Sequence, residues 1–595
     1  VRRRAAALGL AGLALAGYAI SRRGELIARA AGLRPAQYAV AFEQDIPVPM
    51  PDGVTLYADR LSPRTPGHYP TILIRTPYGR PSETRLLGSF AAFGAHLFAE
   101  RGYNVVVQGV RGRFRSEGAF EPFRDEAADG RATLDWVARQ PWFEGNLGMW
   151  GPSYLGYTQW AVAADAPPFL KVIVPVVTAS RFSRPFYPGD GFALESSLRW
   201  ANVVRSTHRP GRALDLSAAW ALFSPARQAA IARVMGTHPL GEADRASAGD
   251  AVPFYQRWLV EDPDGPYWRQ IDHHRTLAKV DVPVHLVAGW YDIFLHEQLA
   301  DYAALLAAGR TPYLTVLPYH HNHPNLVLAA AAEGLRWLDY HLKGHRDAIR
   351  RRPVRLALMG SSEWHEMDFW PPPADVTRYY LHGEGMLSTH DPAPESLPSR
   401  YRYDPRDPTP SIGGPVLSPQ GGPRPQNALE ARTDLLCFTT PPLHEEVDVI
   451  GHVRLELYVR SSLQHTDFVG RLCDVAPDGR SVNVCEGICR VAPGKGEPQP
   501  DGSLKLDVDM WATAQRFRAG HQIRLHVASA AHPRWAANSG DGRPLPQSGA
   551  TGTPADQTVY HDRAHPSALF LPIVSARTRE RMASLSNQPT DEDVS

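Results

Sequence analysis

Ser153 lies in the run Gly151-Pro152-Ser153-Tyr154-Leu155-Gly156, between a short apolar segment at 147–150 and a segment of helical composition at 157–164. A serine on a sharp strand-to-helix turn can act as a nucleophile. The strained turn lifts the hydroxyl out of the sheet, and the N–H of the next residue, here Tyr154, can face an oxyanion. Glycine suits such a turn because strand and helix pass close together. The usual spacing is G-x-S-x-G, whereas here the second glycine comes one place late, at Gly156. An ordinary serine–glycine turn has the same composition, so the elbow alone does not define a hydrolase.

A nucleophilic serine needs a base, and the base needs an acid to orient it. On an open parallel sheet these follow in the order Ser, Asp or Glu, His. The strand-like run 284–290 leads into Tyr291-Asp292-Ile293-Phe294. The next one, 313–317, leads into Pro318-Tyr319-His320-His321-Asn322-His323. Both positions fall past the carboxyl ends of strands, the edge where active sites form. Asp292 would orient the imidazole and stabilise its cation, and a histidine would take the serine proton. Taken singly, Asp292 also suits a helix cap, and the histidine cluster a metal site or a solvated loop. Metal is disfavoured because no cysteine lies nearby and no H-E-x-x-H spacing occurs.

Longer motifs accompany these residues: Ile74-Arg75-Thr76-Pro77-Tyr78, Gln108-Gly109-Val110-Arg111-Gly112-Arg113-Phe114-Arg115-Ser116-Glu117-Gly118, Gln140-Pro141-Trp142 and Gly289-Trp290-Tyr291-Asp292. With them, from about Ala41 onward, the chain resembles the cocaine-esterase / X-prolyl dipeptidyl-peptidase family. That family includes glutaryl cephalosporin acylases and α-amino-acid ester hydrolases. Its elbow is written G-x-S-Y-x-G, so the late glycine is expected. The resemblance implies Ser153 as nucleophile, Asp292 as acid and His321 as base. The family histidine follows a P-W-[ST] run; here His320 replaces the small hydroxyl residue, which leaves His320 and His323 as alternatives. The resemblance also implies Tyr78 as second oxyanion donor beside the Tyr154 N–H, and no cofactor. Gly109 replaces an aspartate common in relatives, with Arg111 as the contact it affects.

The 595 residues are too many for one core and suggest about three domains. A formal net charge of +1 gives no reason to expect nucleic acid as a partner. Four cysteines, Cys437, Cys473, Cys485 and Cys489, have no pairing or zinc spacing and read as free thiols, with one disulfide open if the protein is exported. Arg2-Arg3-Arg4 precedes an apolar run at 5–20. That run reads as a signal sequence or membrane anchor, with a helix of a cytoplasmic protein as the alternative.

The pattern divides the chain into five parts. Residues 1–40 are the leader and linker. Alternating strands and helices at 41–180 and 274–352 form an α/β-hydrolase fold with a mostly parallel sheet. A helical cap at 181–273, with helical runs at 218–223 and 228–235, separates the two. Short β runs at 353–595 form a jelly-roll β-sandwich, the family's further domain. The Pro/Gly-rich stretch 405–425 would be a surface connection, and the chain would fray from Thr578.

The aromatic residues Phe182, Phe186, Tyr187, Phe192 and Trp200 of the cap, with Trp290 and Phe294 beside the acid, are candidates for a substrate pocket. For any one cap aromatic, cap core is the competing reading. Relatives that take α-amino esters carry acidic residues shortly after the acid; here Ile293, Phe294 and Leu295 follow it. An apolar wall disfavours an unpaired cation. The expected function is therefore a serine hydrolase of carboxylic esters with apolar or aromatic acyl groups. X-prolyl dipeptidyl-peptidase or cephalosporin acylase activity is the alternative, and a non-catalytic carbohydrate- or partner-binding protein is the reading from another class.

Overall fold

The computed structural model describes residues 32–84, 90–207, 224–549 and 551–586. The apolar run 5–20 and the helical run 218–223 lie outside the described residues. Among the described residues no helix is long and apolar enough to cross a membrane.

An antiparallel pair opens the fold, β1 (Val40–Pro49) and β2 (Thr55–Pro63). There follow β3 (Thr71–Thr76), α1 (Phe90–Ala99), β4 (Asn104–Gly109), α2 (Glu126–Ala138), β5 (Leu147–Pro152), α3 (Tyr154–Ala163) and β6 (Leu170–Val176). Every residue of β3, β4 and β5 is buried. Continuous apolar runs such as Val105-Val106-Val107 suit strands covered on both faces. A helical insertion comes next, including α4 (Leu194–Thr207), α5 (Pro225–Thr237) and α6 (Leu240–Ala248). The sheet resumes with β7 (His285–Tyr291), α7 (Leu295–Ala307), β8 (Tyr313–His320), α8 (Pro324–Lys343), β9 (Val354–Ala357) and β10 (Trp364–Met367).

The ten strands lie in the order β1-β2-β4-β3-β5-β6-β7-β8-β9-β10, and β4, β3, β5, β6, β7, β8 and β9 are mutually parallel. The chain runs from β3 outward to β4, then returns to place β5 on the other side of β3. At such a reversal the loops leaving the two strands diverge and open a crevice at the carboxyl edge. Pro77-Tyr78 leaves β3 there, and Ser153 leaves β5.

The sheet extends further than the sequence pattern suggests. The sequence pattern opens the β-rich region at 353, but Val354–Ala357 pairs in parallel with β8, and β10 then pairs with it antiparallel. Four residues of alternating character suit an edge strand of either domain, so composition cannot place the boundary.

The C-terminal part packs an eight-stranded and a four-stranded sheet face to face, antiparallel throughout. Leu455, Leu457, Val508, Leu525 and Val527 fill the space between them. Its chain end is ordered past Thr578: α9 (Ala576–Ser586) returns to the first domain and buries Met582 there. The stretch 405–425 is not a free surface loop, because Gly413–Val416 and Gly421-Gly422 are buried. All four cysteines are unpaired.

Candidate active site

Ser153 sits between β5 and α3 at φ 59°, ψ −123°, a backbone conformation that costs a side-chain-bearing residue energy. Its own N–H donates to Val176 O of the neighbouring strand at 2.9 Å, which fixes the turn to the sheet. A Cβ at Gly151 would lie 2.4 Å from Leu155 Cβ. A Cβ at Gly156 would lie 2.5 Å from Thr178 Cγ2 and 3.1 Å from Gly151 O. The late glycine is thus where α3 crosses the segment that follows β6.

Tyr154 is the first residue of α3, so its N–H has no acceptor within the helix. Its phenol donates to Glu126 Oε1 at 2.7 Å and accepts the Phe123 N–H at 3.0 Å. Glu126 in turn pairs with Arg75 at 2.7 Å, and burial holds its carboxyl above the usual range. A buried polar network therefore anchors the residue that follows Ser153.

Tyr78 lies just past β3, with its N–H on Thr76 Oγ1 at 3.1 Å. Its hydroxyl accepts the Trp200 Nε1–H at 3.0 Å. Burial raises the phenol above its ordinary value, so it stays protonated and able to donate. The preceding carbonyl, Pro77 O, accepts Arg113 Nε at 2.8 Å. Arg113 is 2% exposed and has no carboxylate salt-bridge partner among the described residues.

Asp292 is fully buried in a tight turn, its N–H on Gly289 O at 3.0 Å. One carboxylate oxygen accepts the Phe294 N–H at 2.8 Å; the other is 2.6 Å from His321 Nδ1. The neighbouring histidines have other partners. His323 caps α8, accepting the Asn325 N–H at 3.2 Å. His320 packs beneath Gly421 and Gly422, and burial lowers its pKa to about 4. Arg111, beside Gly109, bonds Asp129 at 2.6 and 3.0 Å and Asp52 at 2.7 Å.

A chain of rings joins the two sides. The Phe294 ring lies 5.6 Å from His321 and 5.0 Å from Phe182; Phe182 lies 4.2 Å from Phe123. Phe123 stacks on Tyr154 at 4.8 Å and on Trp200 at 5.9 Å. Phe186 is one ring further back, 6.0 Å from Phe182 and 4.2 Å from Trp258.

Three of the aromatic candidates lie elsewhere. Phe192 and Tyr187 are buried in the insertion, Phe192 against Tyr187 and Tyr255, and Tyr187 also against Trp268. Trp290 shares a strand face with Leu286 and Ala288, packs on Trp370 and donates to Ala357 O at 2.7 Å. Two-residue parity would put Trp290 beside Asp292, but the turn at Gly289–Asp292 breaks that parity.

Phe123 was not among the sequence candidates. It stands at φ 72°, held by its N–H to Tyr154 and by the Tyr157 hydroxyl on its carbonyl at 3.3 Å. Nothing in its local sequence signals this. Glu195 of α4 is another residue legible only in three dimensions. It accepts the N–H groups of Leu417 and Ser418 at 2.9 and 2.8 Å, and Leu417 O accepts Asn322 Nδ2 at 2.6 Å. The sandwich loop is thereby tied both to the insertion and to the residue after His321.

The sheet order, the elbow and the helical insertion define an α/β-hydrolase. Residues 52–323 match the family model of X-Pro dipeptidyl-peptidase (S15 family), and residues 348–570 match that of the X-Pro dipeptidyl-peptidase C-terminal non-catalytic domain. The chain is 33% identical over 580 residues to a cocaine esterase of Rhodococcus sp. (strain MB1 Bresler), covering 90% of this chain and 99% of that one. It thus belongs to the X-Pro dipeptidyl-peptidase S15 family, and it is a serine hydrolase. Two solved structures share the fold. An aminopeptidase from the marine sediment archaeon Thaumarchaeota archaeon has a TM-score of 0.76 at 23% identity, covering 91% of this chain and 98% of that one. An α-amino acid ester hydrolase has a TM-score of 0.75 at 22% identity, with the same coverage.

Proposed function

We propose that the chain hydrolyses carboxylic esters with apolar or aromatic acyl groups through an acyl-enzyme on Ser153. Ser153 Oγ attacks the ester carbonyl carbon while His321 Nε2 takes its proton, and Asp292 holds Nδ1–H and stabilises the imidazolium. The carbonyl oxygen becomes the oxyanion and takes hydrogen bonds from the Tyr154 N–H and the Tyr78 O–H. The C–O bond to the alcohol breaks, and His321 returns the proton to the leaving oxygen. Water then repeats the sequence and releases the acid.

The observation that carries this reading is the 2.6 Å Asp292–His321 pair on the sheet edge where the strained Ser153 elbow also sits. The choice of acyl group rests on the rings and on the buried carboxylates. Glu126 is engaged by Arg75 and Tyr154, Glu297 by Arg181, and Glu195 by Arg199 and two backbone N–H groups. None is free to receive a substrate ammonium, which would be costly to bury unpaired. The relative named as a cocaine esterase supports an ester over an amide.

A fluorophosphonate probe and a substrate panel test both parts. The probe should label Ser153, and Ser153→Ala should abolish labelling and turnover without changing the melting temperature. Aryl esters of aromatic acids should be cleaved faster than a prolyl dipeptide anilide. Folded protein that takes no label would favour a binding module, and preference for the anilide would overturn the substrate class.

A further inference from the structure

A phenol oxygen offers one proton and two lone pairs, whereas an indole N–H can only donate. Trp200 Nε1 lies 3.0 Å from the Tyr78 hydroxyl, so this contact uses a lone pair of Tyr78 and can never receive its proton. The proton is therefore turned away from the indole, and Tyr78 and Ser153 follow the adjacent parallel strands β3 and β5 at one sheet edge. A donor on the phenol oxygen also polarises the O–H and strengthens its own donation.

The indole is held firmly. Its ring stacks on Trp258 at 5.6 Å with 4° between planes and packs on Phe254 at 4.8 Å. Its helix, α4, is braced at both ends. Near the C-terminus, Val204 O and Thr207 Oγ1 accept Arg113 Nη1 and Nη2 at 3.1 and 2.9 Å, where a cation is favoured by the helix dipole. The same guanidinium holds Pro77 O, so the helix and the Tyr78 turn share one clamp. Near the N-terminus, Glu195 binds the sandwich loop.

We propose that Trp200 is a positioning residue of the oxyanion site: its indole N–H occupies the acceptor side of the Tyr78 hydroxyl and commits the phenolic proton to the reacting oxygen. This rests on Tyr78 being an oxyanion donor. It assigns to the helical insertion a part in the chemistry, beyond walling the pocket.

A double-mutant cycle on an activated aryl ester tests it. Trp200→Phe should lower kcat roughly tenfold, a part of the hundredfold or more that losing the donor itself costs. KM should change less than about threefold. In a Tyr78→Phe background the same change should alter kcat less than about twofold, because the group it acts through is gone. The benzothienyl analogue of tryptophan, incorporated at position 200, keeps the bicyclic shape and removes only the N–H; it should reproduce the kcat loss with an unchanged melting curve. An analogue enzyme with full kcat, or an equal loss in both backgrounds, would overturn the proposal and leave Trp200 as acyl wall. Normal kcat in Tyr78→Phe alone would instead overturn the donor role of Tyr78 beneath it.

Discussion

Three histidines within four residues differ by what each one touches. His321 has Asp292 at 2.6 Å, His323 has a helix N-terminus, and His320 has two glycines of the sandwich. Only the first is oriented by a buried carboxylate. His321→Ala should therefore slow acylation by several orders of magnitude in single-turnover kinetics, as loss of a triad base does. His320→Ala should cost much less in rate, and its main effect should be on the melting temperature, because it empties a packed site. A larger kinetic loss at His320 than at His321 would overturn this assignment. Tyr78→Phe keeps the ring and removes the donor. Its kcat should fall about a hundredfold or more with KM little changed, since one oxyanion donor contributes roughly 2.7–4 kcal/mol. Normal kcat would leave Tyr78 as a packed aromatic.

The elements that carry these residues were legible to different degrees, for physical reasons. The elbow shows in the sequence because its strain demands glycine at fixed offsets. Gly156 is needed where α3 meets Thr178, and its own N–H donates to Ser153 O at 2.9 Å. Gly156→Ala should therefore destabilise the protein by about 1–3 kcal/mol, as forced overpacking does. A melting curve matching wild type would mean that α3 can shift without cost. The strands were legible because covered parallel strands read as unbroken apolar runs. The face of a single residue at a strand end was not: Trp290 follows the parity of β7, whereas Asp292 follows the turn. Phe123 and Trp200 were illegible as neighbours of Tyr154 and Tyr78, because each contact joins residues from separate elements and leaves no periodic trace. The loop at 405–425 has the composition of a solvated linker, yet Glu195 and Asn322 dock it. Glycine-rich chain satisfies a tight docking site as readily as a turn.

At the scale of the molecule, the sheet, the insertion and the sandwich are fastened through buried polar side chains, and this sets the acid response. Burial is the first cause of a lowered pKa at His273, His320, His341 and His532, each about 4, and at His285, about 3. An unfolded histidine titrates near 6.5. Between those values the unfolded chain binds more protons than the folded one, so stability is full above about pH 6.5 and declines as pH falls toward 4. Glu333 works lower. Burial alone would raise its carboxyl, but Arg350, Arg336 and Arg355 outweigh that and hold it down to about 2 against an ordinary 4.5. Its contribution is present above about pH 4.5 and is lost between there and 2. The melting temperature should therefore begin to fall below pH 6.5, before a carboxylate of ordinary pKa titrates. His285→Gln should make that decline shallower, because it removes one buried imidazole whose Nε2 bonds Thr315 Oγ1 at 2.9 Å and whose Nδ1 has no partner among the described residues. Scanning calorimetry of both proteins from pH 8 to 4.5 measures this. A profile flat from 6.5 to 4.5 would mean that the folded chain protonates these imidazoles as easily as the unfolded one, and that water reaches them inside the fold.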